Sequence, residues 1–153
     1  NGDLFKQMEL GYWHKPNVME EGYQHKLIST VEIFVLAHVK IETEKWIFKE
    51  NVERKNLISI PTIPVSQRLK VQTEVVNPCE KPVALFNWFI DHFTVEGNVV
   101  FDAMFGAGGS ISAALLKNRN AIGFELDPKQ FQAAVARIFK DINPVSTLSI
   151  VTS

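Results

Sequence analysis

Residues 98–128 read NVVFDAMFGAGGSISAALLKNRNAIGFELDP, and the fold turns on how this stretch is read. Val99, Val100 and Phe101 form a short apolar run that stops at Asp102, the pattern of a parallel strand covered on both faces. At Gly106, Gly108 and Gly109 the backbone can turn tightly and approach a ligand with no Cβ in the way. Ile111, Ala114 and Leu115 recur at helical spacing, and residues 121–124 make the next strand, which runs out into Glu125 and Asp127. A carboxylate at such a strand end can accept two hydrogen bonds from the vicinal hydroxyls of a ribose. The order strand, glycine turn, helix, strand, acid suits a nucleoside-containing ligand.

The glycine spacing narrows that ligand. A dinucleotide fingerprint requires G-x-G-x-x-G, and Ile111 stands where the third glycine belongs, which argues against NAD or FAD. No G-K-[ST] follows the turn, so a P-loop is excluded. What remains is acid-x-x-x-G-x-G with a second acid after the next strand. That is the pattern of S-adenosylmethionine (SAM) sites, whose ligand has a ribose but no pyrophosphate. The same residues also suit an ordinary strand–turn–helix whose glycines serve only the turn.

Composition sets the outer bounds. A chain of 153 residues, 46% hydrophobic, is expected to form one domain and to bury about two-thirds of its unfolded surface. No apolar run is as long as a membrane span, and no signal-peptide pattern is present. The lone Cys79 excludes an intramolecular disulfide framework and fits a reducing compartment. His14, His25, His38 and His92 show no paired spacing with it, so no metal site is expected. The formal charge of −1 argues against nonspecific coating of nucleic acid, but not against a local basic groove. The sequence starts at Asn1 without a methionine, as a fragment, a processed product or a trimmed chain would.

Outward from the opening stretch the chain divides into two unlike halves. Residues 1–80 are strand-like, with residues 31–39 (VEIFVLAHV) the clearest strand and residues 44–49 and 56–60 weaker candidates. Pro61, Pro64 and Pro78 bracket loop or edge strand. Residues 81–142 carry the α/β rhythm. A helix is expected over 81–94, with Pro82 in its first turn and Phe86, Phe89, Ile90 and Phe93 on one stripe. Asp127 can cap a second helix that continues to about Ile142, with Phe131, Val135 and Ile138 facing inward. Residues 144–153 alternate as a strand would.

Several motifs now fall into one order. Asn77-Pro78-x-x-Lys81-Pro82-x-x-Leu85 is followed by Asp102…Gly106-x-Gly108 and then by Gly123-x-Glu125. This order resembles the C-terminal, SAM-binding part of the β-class DNA amino-methyltransferases, which methylate adenine N6 or cytosine N4. The family shows H-P-x-x-K-P, then D-P-F-x-G-S-G-T, then G-x-E. Trp13-His14-Lys15-Pro16-Asn17 followed by Glu32-x-Phe34 is similar to its W-x-K-P-N…hEyif stretch, so the likeness runs from about residue 12 to 139. Each motif is weak alone; four in the family's order are specific. There are departures. Asn77 replaces the usual His, Ala103 the Pro, Met104 the Phe and Gly109 the Thr or Ser, and Lys26 stands where Arg is common. The catalytic tetrapeptide (D/N/S)-P-P-(Y/F/W) does not occur in these residues; in the family it precedes W-x-K-P-N, so here it would lie before Asn1.

The resemblance implies an α/β, Rossmann-like methyltransferase fold, three-layer αβα with a mixed sheet, expected to be incomplete at its N-terminus. Residues 1–153 would be one partial domain, with 1–80 on the substrate side and 81–142 holding SAM. Glu125 would accept from the ribose hydroxyls, and Asp102 would face the cofactor's amino group or cap the helix. Gly106 and Gly108 would run beside the methionine moiety, lined by Met104, Phe105 and Ala107. Lys81 would lie near the methionine carboxylate and Leu126 beside the adenine, with Phe124 expected in the core. Trp13, Lys15 and Asn17 would face the substrate, with an exposed Trp13 able to stack on a base. No catalytic residue is assigned. DNA is the implied partner, with a homodimer or an active methyltransferase subunit as further partners, no membrane, and a cytoplasmic, nucleoid-associated or otherwise intracellular setting. Restriction–modification is the implied context. A non-catalytic SAM- or DNA-binding relative and an NAD-type oxidoreductase remain as alternatives.

Overall fold

A computed structural model describes residues 5–18, 28–39 and 55–142, which fall into two compact units, 1–62 and 63–153. The division drawn from the sequence lies at 80/81, so residues 63–80 fold with the glycine-rich segment. Each unit is described by itself. The expected strand over 44–49, Lys26 and the tail at 144–153 lie outside the described residues.

The first unit is a three-stranded sheet in the order β2-β1-β3, formed by β1 (Phe5–His14), β2 (Val31–Val39) and β3 (Leu57–Ser59). β1 runs antiparallel to β2, with Leu10 opposite Val35 and Tyr12 opposite Ile33; β3 joins β1 in parallel, with Leu57 opposite Tyr12. Because side chains alternate along a strand, this register sorts them into two faces. Met8, Leu10, Val31, Ile33, Val35 and Leu57 share one face and are exposed, while Trp13 and Ile58 are buried on the other. Gly11 lies opposite Phe34, whose ring fills the place where a Cβ on residue 11 would sit.

The second unit begins with a 3₁₀ turn (Val65–Gln67) and a short hairpin, β4 (Lys70–Val71) and β5 (Glu74–Val75), so the proline-bracketed stretch is a small antiparallel pair. Helix α1 spans Val83–Phe93, with Pro82 at the N-cap rather than inside the first turn. Proline suits that edge because its missing N–H has no helical partner there. Then come β6 (Val99–Asp102), α2 (Gly109–Leu116), β7 (Asn120–Gly123) and α3 (Pro128–Asp141). Asp127 caps α3 as the sequence implies, its carboxylate accepting from the N–H groups of Lys129 and Gln130.

β6 and β7 pair in parallel, with Asp102 opposite Gly123. Val100 and Ala121 turn inward against Ile90 of α1 and Ala113 and Ala114 of α2. Phe105, Ile111, Ala134 and Ile138 form an adjoining cluster that also includes Ile142. The expectation of a strand pair covered on both faces is corrected here. Val99, Phe101, Ile122 and Phe124 alternate onto the opposite face, and each is more than half exposed. Phe124 is therefore not a core residue; its ring lies beside Phe101, 6.0 Å between centroids. Among the described residues the helices cover only one face of this pair.

Candidate functional site

The ends of β6 and β7 are tied together past their last paired residues. The Phe124 N–H donates to the Asp102 carbonyl (3.0 Å), and the Phe105 N–H donates to the Phe124 carbonyl (2.9 Å). The chain then reverses through Gly106 (φ +56°) and Gly108 (φ +79°), both in the left-handed region that side chains strain to adopt. Space forbids a side chain as well. A Cβ on Gly106 would lie 2.5 Å from Asn77 Nδ2, and one on Gly108 would lie 2.9 Å from Ile138 Cδ1. The Gly108 N–H closes the turn on the Phe105 carbonyl (2.9 Å), and the Ser112 N–H donates to the Gly108 carbonyl (2.9 Å) to start α2. Residues 105–114 are all buried.

Two carboxylates brace this turn. Asp102 Oδ1 accepts from the Met104 N–H (3.0 Å), and Oδ2 accepts from the Ser110 hydroxyl (2.5 Å). Asp102 thus ties the chain after β6 to the Ser110 hydroxyl in the first turn of α2. Glu125 Oε2 accepts from the Gly106 N–H (2.9 Å), and Oε1 accepts from the Asp127 N–H (3.0 Å). Each oxygen of an ionised carboxylate has about two acceptor sites, so Glu125 retains capacity for two further donors.

Other residues singled out from the sequence divide by environment. Met104 and Leu126 stand at the carboxyl ends of the strands and are 83% and 98% exposed, free of core packing. Ala107 is buried in the turn. The Phe105 ring is buried, packs on Phe131 and fills the space beside Gly123. Lys81 is half-buried, and its carbonyl lies 3.4 Å from where a Cβ on Gly109 would be, which brings the Lys81-Pro82 motif against the start of α2.

Residues not assigned to the site from the sequence also meet here. Gln130, on the first turn of α3, places Oε1 3.4 Å from the position of a Gly106 Cβ; this oxygen is buried and has no hydrogen-bond partner among the described residues. Asn77 flanks the same glycine. Ser110 and Gln130 carry no sequence signal of their own, whereas Asn77 opens the Asn77-Pro78-x-x-Lys81-Pro82 motif. Their roles come from the crossing of three chain segments at one glycine.

Trp13, Lys15 and Asn17, in the first unit, are all occupied. Trp13 is 3% exposed and its Nε1–H donates to the Ile60 carbonyl (2.8 Å), which corrects the expectation of an exposed stacking ring. Lys15 pairs with Glu32 (3.2 Å). The Asn17 side chain accepts from the Thr62 N–H (2.7 Å) and hydroxyl (3.1 Å) and donates to its carbonyl (2.9 Å).

The turn fits a nucleoside bearing an amino-acid tail. Glu125 offers a half-buried acceptor pair at the strand end, exposed apolar side chains flank it, and Gln130 leaves a buried acceptor without a donor beside Gly106. Among the described residues no three His, Cys, Asp or Glu side chains gather as metal ligands, and no helix is long and apolar enough to cross a membrane.

A family model described as DNA methylase matches residues 5–136. The structure is similar to that of M1.HpyAVI in its complex with SAM (TM-score 0.66, 26% identity), over 86% of this chain and 61% of that one. It is similar also to the cytosine-N4-specific PvuII DNA methyltransferase (TM-score 0.67, 20% identity), over 91% of this chain and 52% of that one, a likeness of fold alone. The chain thus spans less than two-thirds of the length of either protein.

Proposed function

This chain belongs to the N6/N4 DNA methylase family, and from that premise we propose that it holds SAM for methylation of an exocyclic amine, adenine N6 or cytosine N4, in DNA. One observation carries the reading: the Gly106 N–H donates to Glu125 Oε2. It joins the glycine turn and the strand-end acid into one cradle, with free lone pairs on the acid for ribose hydroxyls. Leu126 and Met104 would flank the adenine, and the backbone from Gly106 to Gly108 would follow the methionine moiety, whose ammonium suits the unpaired Gln130 Oε1. Lys81 would sit near the methionine carboxylate. SAM, when bound, supplies an electrophilic methyl on its sulfonium.

An exocyclic amine is a poor nucleophile because its lone pair is delocalised into the base, so an enzyme must accept from its N–H groups and hold the flipped base in line. The (D/N/S)-P-P-(Y/F/W) tetrapeptide that does so in this family is absent from these 153 residues. Asp102 and Glu125 are engaged at the turn and are read as cofactor-side groups rather than general bases. We therefore assign this chain the donor-holding role and expect no methyl transfer to DNA from it alone. In this proposal the substrate side is residues 1–62 and the SAM side residues 63–142, the boundary moved from 80/81 to where the two units divide.

Calorimetric titration with SAM tests it. Wild type should bind, and Glu125→Ala should bind about 30-fold or more weakly, the scale of losing two charge-assisted hydrogen bonds. NAD binding without SAM binding would overturn the reading in favour of an oxidoreductase. Transfer of tritiated methyl from SAM to DNA by the chain alone would overturn the donor-only role.

A further inference from the structure

Behind the glycine turn lies an ion-pair network that the cofactor reading does not use. Glu80, one residue before Lys81, has a side chain only 2% exposed. Its Oε2 accepts from the Leu69 N–H (2.7 Å), and its Oε1 accepts from Nη1 of Arg137 (2.5 Å) on α3. The same Nη1 donates to the carbonyl of Ala107 (3.3 Å), the residue between the two left-handed glycines. Arg137 Nε faces Asp141 Oδ2 (3.5 Å), which in turn accepts from the hydroxyl of Ser112 (3.1 Å), fully buried in α2.

We infer that Glu80 and Arg137 are positioning residues for the methionine end of the SAM site: Arg137, held by Glu80, fixes the Ala107 carbonyl and so selects one conformation of the glycine turn. This rests on the SAM reading of that turn. Glycines at 106 and 108 are needed for shape, but their freedom also lets a turn sample other shapes. A binding loop that must be ordered by its ligand loses affinity to that ordering. A charge-assisted bond to the central carbonyl removes the freedom beforehand. The buried Glu80 carboxylate in turn fixes the guanidinium, since leaving it unpaired in the interior is costly. A pair that served folding alone would not require its cation to reach the carbonyl of the turn.

The inference predicts a selective loss. Glu125 holds the ribose end from another side of the turn, so breaking the Arg137 contact should spare a ligand without the amino-acid tail. The full chain is titrated calorimetrically with SAM and with 5′-deoxy-5′-methylthioadenosine, which has the same nucleoside and methylthio group but lacks the amino-acid tail and the sulfonium charge. Arg137→Gln should weaken SAM about tenfold and leave the thioadenosine within about twofold. Arg137→Lys keeps a cation against Glu80 but loses the Nε that faces Asp141 and so the second anchor that aims Nη1 at the Ala107 carbonyl, and it should show a smaller loss with the same selectivity. It carries the test if Arg137→Gln does not fold, as judged by circular dichroism. A wild type that binds neither ligand overturns the SAM reading itself. A wild type that binds both, with variants that keep SAM affinity or lose both ligands equally, overturns the positioning role alone.

Discussion

The glycine turn and the Trp13–Asn17 segment both match motifs of one family, yet their side chains are held in opposite ways. At the turn, Glu125 is fixed by two backbone N–H donors and retains lone pairs, Gln130 Oε1 is buried without a partner among the described residues, and Met104 and Leu126 are exposed. In the other segment Trp13 donates to Ile60, Lys15 pairs with Glu32, and Asn17 closes three hydrogen bonds on Thr62. Motifs of one family thus lie in two environments, one with unmet hydrogen-bonding capacity and one with that capacity filled. The difference is physical: a binding group is held in place and left with unmet hydrogen-bonding capacity, whereas a framing group has its capacity filled by its own chain.

The sharpest test of this contrast is Gly108→Val. Its φ of +79° and the crowding by Ile138 and Ala134 leave no room for a side chain. Stability should fall by about 3 kcal/mol in denaturant titration, and SAM binding should be lost in the folded fraction. Next comes Trp13→Phe, which keeps an aromatic ring of smaller volume and leaves the Ile60 carbonyl without its donor. A loss of about 1–2 kcal/mol with SAM affinity unchanged is expected for a framing residue. Unchanged stability with weakened DNA binding would instead restore Trp13 as a stacking surface and break the contrast. Asn17→Ala should cost about 1 kcal/mol, because its bonds to Thr62 are exposed and water can replace them.

The smallest effect belongs to an exposed pair outside both regions. Lys129, by a hydrogen bond (2.7 Å) and its charge, holds the Glu74 carboxyl below its ordinary value, and Glu74 likewise raises Lys129. The contribution is full above the ordinary Glu value and fades as pH falls through the lowered pKa of Glu74. It fades again as pH rises through the raised pKa of Lys129. Thermal unfolding of Glu74→Gln should therefore differ slightly from wild type at neutral pH and converge with it in acid.

Much of the second unit was legible because its signals are local. The apolar run ending at Asp102, the glycines and the Asp127-Pro128 cap together fix β6, the turn, α2, β7 and the start of α3 to within a residue or two. β2 was legible from its β-branched and aromatic run. β1 was not, since Gly11 interrupts its pattern and is accommodated only because the Phe34 ring from β2 covers it. The exposure of Phe101 and Phe124 was not legible either: a run apolar on both sides predicts burial on both, and only the packed helices show which side is covered.

The order of motifs determined the family and the fold class, and the glycine spacing argued against a dinucleotide, because glycine spacing and a strand-end acid are properties of adjacent residues. Only the tertiary structure decided that Trp13 is buried, that Glu125 is tied back to Gly106, and that Glu80 and Arg137 meet behind Ala107. Those depend on segments up to 57 positions apart in the chain being brought into hydrogen-bond range. Sequence spacing carries no record of such distances.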